Sequence, residues 1–425
     1  MTNRERIMAA IKGEMPDRLP FAPRLDLWFS SNVQSGTLPK GYENFTADEI
    51  ARKEGWALHK INPEYQMARR PEDNLHWGLG ILSYKESVYQ YQFSSDIEIE
   101  VKKENERIKI RYRTPVGSVS TTVLYSDEMK KGGVSAFWIE EHAIKTVKDY
   151  EPIGYIFERV KLLPDARDFV KWQEKIGQDG VAFTLGGRAA SPIHHIQKYF
   201  FDDTTFFYHY IDYQKEMQKL AERMVNYFNQ VIELVSQSPA DVVYWGANFD
   251  EMITYPPFFK KEIIPWIRKA AARMQEVGKF VSCHCDGENR GLLDLIRDSG
   301  MHVAEAVCPA PMTKVPIEEY YRRWSDKLTI FGGIPSILLL KETSTEEEFE
   351  SYLENLFQAV HPGKRMILGI SDSTPPKADF RRLKRIGEAV EEKGWLPLKA
   401  GSFRPVMRAG QKEKISEEGK ENLQD

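Results

Sequence analysis

The stretch Lys279–Asn289, "KFVSCHCDGEN", decides how this chain is read. An apolar, β-branched opening at Phe280 and Val281 runs into Cys283, His284, Cys285, Asp286 and Gly287. A buried parallel strand looks like this where it leaves the core and enters a loop. Residues two apart on a strand share a face, so His284 and Asp286 point one way, Cys283 and Cys285 the other. A histidine and a carboxylate at the carboxyl end of a strand suit metal ligation or proton transfer. The two cysteines are expected to pack behind the strand as small apolar side chains.

Working outward, the same pattern recurs. Short apolar runs lie near Leu19–Leu25, Trp56–Lys60, Val181–Leu185, Val242–Trp245, Phe280–His284, Val303–Ala306, Leu328–Phe331 and Met366–Ile370. From about residue 140 they alternate with helical patterns, including Leu163–Gly177, Phe200–Ser236 and Asp379–Lys393. Eight strand–helix units close most naturally into an α/β fold of the (β/α)8 TIM-barrel type. A doubly wound open sheet is the alternative, but no GxGxxG follows the first strand. Between these units Ser87–Tyr125 alternates with a period of two, parted by "KKENE" and "TPVG". That predicts an antiparallel meander inserted over residues 81–126, serving as a lid or an oligomerisation module. The expected organisation is one barrel domain over 1–395 and a polar tail over 396–425, disordered after about Ala409. An exposed meander edge offers a homodimer contact.

Composition narrows the function. A net charge of −4, from 59 basic and 63 acidic residues, gives no ground for nucleic-acid binding. No apolar run reaches membrane-spanning length and the start lacks a signal-like segment, so the expectation is a protein away from membranes. Three cysteines, two of them at Cys283 and Cys285, do not make a disulfide framework, which points to the cytoplasm.

In a barrel the chemistry sits on the loops after the strands. The first strand offers Arg24 and Asp26, the third Gly186, Gly187 and Arg188, followed by His194 and His195, of which at most one faces the site. The fourth offers Asn248, Asp250 and Glu251; the fifth His284 and Asp286; the sixth Glu305 and then Cys308. After the seventh, Gly332 and Gly333 would let a ligand approach the backbone. The eighth ends in Ser371, Asp372 and Ser373. Aromatic segments at Trp28–Phe29 and Tyr255–Phe259 would set the width of the mouth, or pack into the core.

Four segments together resemble the uroporphyrinogen decarboxylase superfamily: "RERIMAAIKGEMPDRLPF", "GKFVSCHCDGENRGLLDLIRDSGMHVAEAV", "IFGGIPS" and "ILGISDSTPP". The resemblance is closer to the corrinoid- or cobalamin-dependent methyltransferase branch than to the heme-pathway decarboxylase. Where the decarboxylase carries an arginine-rich segment, this chain has "APRLDLWF", with one arginine. The methyltransferase branch carries zinc on a His-x-Cys after strand five and a cysteine after strand eight. Here His284 stays, Asp286 stands in the place of the first cysteine, and Ser371–Asp372 in that of the second.

Exchanging thiolates for carboxylates makes a harder, more Lewis-acidic site. The resemblance thus implies zinc or another divalent ion on His284, Asp286, Glu305 and Asp372. It implies an O-methyl small-molecule substrate and a cobalamin or corrinoid cofactor supplied in trans by a partner protein. Arg24, Arg188 and Asn248 would bind substrate; Glu251, Asp372 and Asp26 would serve catalysis. A metal-independent decarboxylase-like lyase acting on a small carboxylic acid is the competing enzyme. A non-catalytic small-molecule binding barrel is the third reading.

Overall fold

The computed structural model describes residues 1–61, 75–134 and 136–399. Its strands in chain order are β1 (Leu58–Ile61), β2 (Tyr89–Gln92), β3 (Glu98–Glu104), β4 (Arg107–Thr114), β5 (Gly117–Leu124) and β6 (Trp138–Glu141). They continue with β7 (Lys161–Pro164), β8 (Gly180–Gly187), β9 (Val242–Ala247), β10 (Phe280–His284), β11 (Val303–Val307), β12 (Thr329–Pro335) and β13 (Met366–Ser371).

Seven of these form one curled parallel sheet in the order β1-β8-β9-β10-β11-β12-β13. The strands β8, β9, β11, β12 and β13 are near-continuous apolar runs, buried along their length. That is the texture of parallel strands covered on both faces. The helices between them lay their apolar stripes on the sheet; Gln214–Gln237, for example, buries Met217, Leu220, Met224, Phe228 and Val231.

The expected first strand, Leu19–Leu25, shrinks to a bridge. Ala22 N donates to Leu368 O (2.8 Å), Leu368 N to Pro20 O (2.9 Å), and Ala57 N to Phe21 O (2.8 Å). Residues 20–22 thereby join β13 to the lead-in of β1 and occupy the eighth place of a TIM-type barrel. Pro20 and Pro23 carry no N–H, which keeps the pairing from growing. Arg24 follows at once, and Asp26 already opens the helix Asp26–Ser35.

The antiparallel region differs from the expected meander in two ways. β3-β4-β5-β6 form one sheet, so its last strand is Trp138–Glu141. Tyr89–Gln92 leaves that sheet and pairs instead with β7, at Lys161–Pro164. The helical expectation for Leu163–Gly177 is therefore wrong at its start; the helix is Arg167–Ile176. Alternation in β4 is strict: Ile108, Ile110 and Tyr112 are buried, while Arg107, Lys109, Arg111 and Arg113 are exposed. The buried face packs on the helix Tyr150–Arg159, which in turn packs on Gln214–Gln237. Of the expected tail, residues 400–425 lie outside the described residues.

Candidate functional site

His284 is the last residue of β10, and its register partner on β11 is Glu305. Neighbouring parallel strands put such partners on one face, here the inside of the barrel. His284 Nδ1 accordingly donates to Glu305 Oε2 at 2.5 Å. The other ring nitrogen, Nε2, lies 3.2 Å from Asp372 Oδ1, just past the end of β13. These three side chains come together tightly enough for one donor atom of each to lie within 4.8 Å of the others.

Local backbone irregularities aim them. The ladder slips between Ser282 and His284 on β10 and between Glu305 and Val307 on β11. Bulges of this kind turn side chains at the rims of barrels. Ala306 and Asn248 both take positive φ, 59° each, where β-carbon crowding makes most residues rare. Gly332, at φ +142°, is where a side chain would strike the Val307 backbone at 2.7 Å. Gly333 is equally closed, by Met366. These glycines make room for neighbouring chain.

Glu305 is wholly buried, hydrogen-bonded by His284 and approached by a second imidazole whose angle is poor for a hydrogen bond. His59, on β1, brings Nε2 to 3.1 Å from Glu305 Oε1. β1 stands four places away around the ring, so this contact crosses the barrel interior. Burial works against a charge on Glu305, but His284 and His59 outweigh it and hold its carboxyl well below the usual range. For His284, burial disfavours the charged form, yet Glu305 and Asp372 prevail and its pKa is raised. Sequence reasoning missed His59 because it sits inside a short strand and not at a strand end. A lone imidazole among inward-facing positions of "LHKI" was the available signal.

Arg24 extends the group outward. Its Nη1 is 3.3 Å from Asp372 Oδ1, and its Nε is 3.5 Å from Asp26 Oδ2. Asp286, expected among the ligands, stands apart from the compact trio. Its Oδ1 receives the Cys308 thiol at 3.2 Å and its Oδ2 lies 3.4 Å from Asn248 Nδ2. Burial, together with the charges of Asp372 and Glu305, raises its pKa despite the opposing pull of His284. Cys308 thus lies much nearer the mouth than its place beyond β11 suggested. Cys283 and Cys285 are buried on the far face, as expected.

Other candidates are employed elsewhere. Glu251 Oε2 accepts from Gly291 N at 2.6 Å and faces Lys314, bracing the turn Arg290–Leu292. Asp250 holds the backbone N–H groups of Met252 and Glu288. His194 accepts from Ala190 N, and His195 bonds Leu79 O at 2.7 Å inside an aromatic cluster. Trp28 stacks on Phe380 in the core, and Phe258 and Phe259 are buried. Arg188 lies over the Trp77 ring, 5.1 Å from its centroid.

A family profile described as Uroporphyrinogen decarboxylase (URO-D) matches residues 139–393, more than half of the chain. The chain belongs to the uroporphyrinogen decarboxylase family. The matched segment carries Arg188, Asn248, His284, Asp286, Glu305 and Asp372; Arg24, Asp26 and His59 precede it. Among solved structures, a methyltransferase from Methanosarcina mazei superposes with a TM-score of 0.49 at 14% identity, covering 92% of this chain and 99% of that one. No curated protein matches the sequence. Among the described residues no helix is long and apolar enough to cross a membrane.

The donor set suits a divalent ion. Two ligands on a tetrahedral ion with bonds of about 2.0–2.1 Å stand about 3.3 Å apart. His284 Nε2 and Asp372 Oδ1 stand 3.2 Å apart, and the remaining ring nitrogen is tied to a buried carboxylate. A carboxylate behind a metal-binding imidazole fixes its tautomer and raises its basicity. Asp286 and Asp26 add negative charge beside Arg24 and His284, which a cation would offset.

Proposed function

We propose that this family member is a methyltransferase whose mouth would hold a divalent ion on His284 and Asp372, with Glu305 behind the imidazole and zinc the best match to the donors. The observation that carries the reading is the 3.2 Å approach of His284 Nε2 to Asp372 Oδ1, with Glu305 locked behind the imidazole. When bound, the ion supplies Lewis acidity toward an ether oxygen, easing departure of an alkoxide or phenolate.

The chain's own residues do the remaining work. Glu305, hydrogen-bonded by His284 and approached by His59, keeps the His284 imidazole oriented so that its Nε2 faces the mouth. Arg24 fixes Asp372 through its guanidinium and balances its charge. Arg188 and Asn248 face the substrate from the ends of β8 and β9. A separate corrinoid protein would supply in trans the cob(I)alamin nucleophile that the methyl group of an O-methyl substrate requires. The barrel contributes orientation and electrostatics to methyl transfer. Asp286, bonded to Cys308 and Asn248, would add outer negative charge, and Asp26 acts through Arg24. Glu251 has no part in this scheme.

The competing metal-independent lyase would bind substrate carboxylates through the arginines, of which Arg24 is already drawn on by contacts with Asp26 and Asp372. The two readings part on one experiment. Methoxyarene demethylation is followed with a reduced corrinoid protein before chelation, after exhaustive chelation, and after zinc is restored. Activity lost and then regained supports the methyltransferase; turnover of a carboxylic acid that survives chelation supports the lyase.

A further inference from the structure

On the far side of Asn248 from Asp286, a concavity of about 400 Å³ opens between the end of β9 and the last strand of the antiparallel insert. Its lining mixes aromatic and polar side chains: Trp77 and Tyr199 on the barrel side and Phe137 and Trp138 on the insert side are the rings, and of these only Trp138 is exposed. Trp138 is 66% exposed, an unusual position for so large an apolar ring. Two cations, Arg188 and Lys198, face the same space.

Lys198 sits in the π-helical turn Ile196–Phe200, a type of irregularity that is frequent at functional sites. Its Nζ donates to Asn248 Oδ1 at 3.0 Å, and among the described residues no carboxylate lies within ion-pair distance of it. Burial and the nearby Arg188 charge pull its pKa down to about 8. An anion placed between the two would relieve that repulsion. Asp202, on the rim, accepts from Thr205; Asp203, exposed on the same rim, and Asp286 offset the Arg188 repulsion only in part. Asn248 then links the cavity to the mouth, since its Nδ2 reaches toward Asp286.

We propose that this cavity binds a single-ring aromatic carboxylate, its acid group held by Arg188 and Lys198 and its ring clasped between the barrel aromatics and Trp138 of the insert. A volume near the lower end of ligand pockets admits one substituted ring. Aromatic rings in the lining offer stacking surfaces, and the arginine fork matches a carboxylate. The insert is thereby part of a substrate site and not merely a cover. The choice of an arene that also carries a methoxy group rests on the methyl-transfer reading; the binding of the acid does not.

The full-length protein, stripped of metal by dialysis and without corrinoid, is titrated with methoxybenzoate, its methyl ester and inorganic phosphate. Calorimetry and tryptophan emission are recorded together. Methoxybenzoate is expected to bind and to change the emission, with the ester about tenfold weaker or worse, since an unpaired buried charge costs that much. Lys198→Met and Arg188→Met should each lower affinity by about tenfold, and Trp138→Leu should reduce the emission change, leaving the part that Trp77 contributes. Arg188→Lys keeps the charge but loses the fork, and serves if either methionine variant fails to fold. Equal binding of acid and ester, wild-type affinity in the Lys198 and Arg188 variants, or displacement of the acid by equimolar phosphate would overturn the assignment. Acid binding without any demethylation removes only the function proposed above. Demethylation of neutral methoxyarenes without acid binding removes only this cavity's role.

Discussion

His284 and His195 are both buried in the same barrel, and their surroundings push them in opposite directions. His284 lies between two carboxylates, Glu305 and Asp372, which raise its pKa against the cost of burial. His195 lies among Tyr199, Phe200 and Phe157, with one bond to a backbone carbonyl, and burial lowers it to about 4. His76, bonded to the Tyr112 hydroxyl at 2.7 Å, is likewise lowered to about 4. One neighbourhood invites a cation, while the other holds a neutral ring as packing material. Residue type and depth are shared, so the difference lies wholly in the charge of the neighbours.

The largest expected effect tests the first neighbourhood. Asp372→Asn should cut both bound metal and methyl transfer at least about a hundredfold, read by elemental analysis and turnover. Because Asp372 is part-exposed, its urea midpoint should move little, by about 0.5 kcal/mol or less. His195→Ala should do the reverse. Metal content should stay at the wild-type level while urea denaturation shows a loss of about 3 kcal/mol, the usual scale for emptying a packed core site.

Acid sharpens the contrast. In the unfolded chain His76 and His195 take up protons near pH 6.5, whereas in the fold they do so only near 4. Their lowered pKa values therefore leave stability intact above about pH 6.5 and remove it as pH falls toward 4. Between pH 7 and pH 5 the loss should be about 2 kcal/mol per histidine, measured by urea denaturation at each pH. A His195→Gln variant should lose one histidine's share of that slope.

Two smaller effects probe the edges of the trio. His59→Phe removes the second imidazole beside Glu305 and should weaken metal affinity about tenfold, as loss of an outer partner of a metal ligand does. Competition with a chromogenic chelator measures this. Glu251→Gln should change turnover by less than about twofold, because the carboxylate braces Gly291 and not the mouth.

Much of this was legible before the fold was known, and the exceptions have physical reasons. β8 through β13 are apolar enough and cleanly enough followed by polar loops to be placed within a residue or two, except that β12 runs on to Pro335, four residues past the expected end at Phe331. The pairing of His284, Glu305 and Asp372 follows from listing polar groups at strand ends, since a barrel brings those ends together. The first strand was overextended because its apolar letters conceal two prolines that cannot donate to a ladder. The partnership of Tyr89–Gln92 with Lys161–Pro164 joins segments far apart in the chain, and no local pattern reports it. His59 crosses the barrel interior from mid-strand, where strand-end reasoning does not look. Lys198 is hidden in a turn that reads as ordinary helix, and its electrostatic setting depends on Arg188 and Asn248 from two other loops.

The central claim is a cation held by one imidazole and by oxygen donors, with no thiolate. X-ray absorption at the zinc edge of the protein as purified without chelators, with metal content measured on the same sample, tests it most directly. The account predicts near-stoichiometric metal with a shell of nitrogen and oxygen only, at about 2.0–2.1 Å. A zinc–sulfur distance of about 2.3 Å, which would place Cys308 on the ion, or a protein that binds no metal, would contradict it.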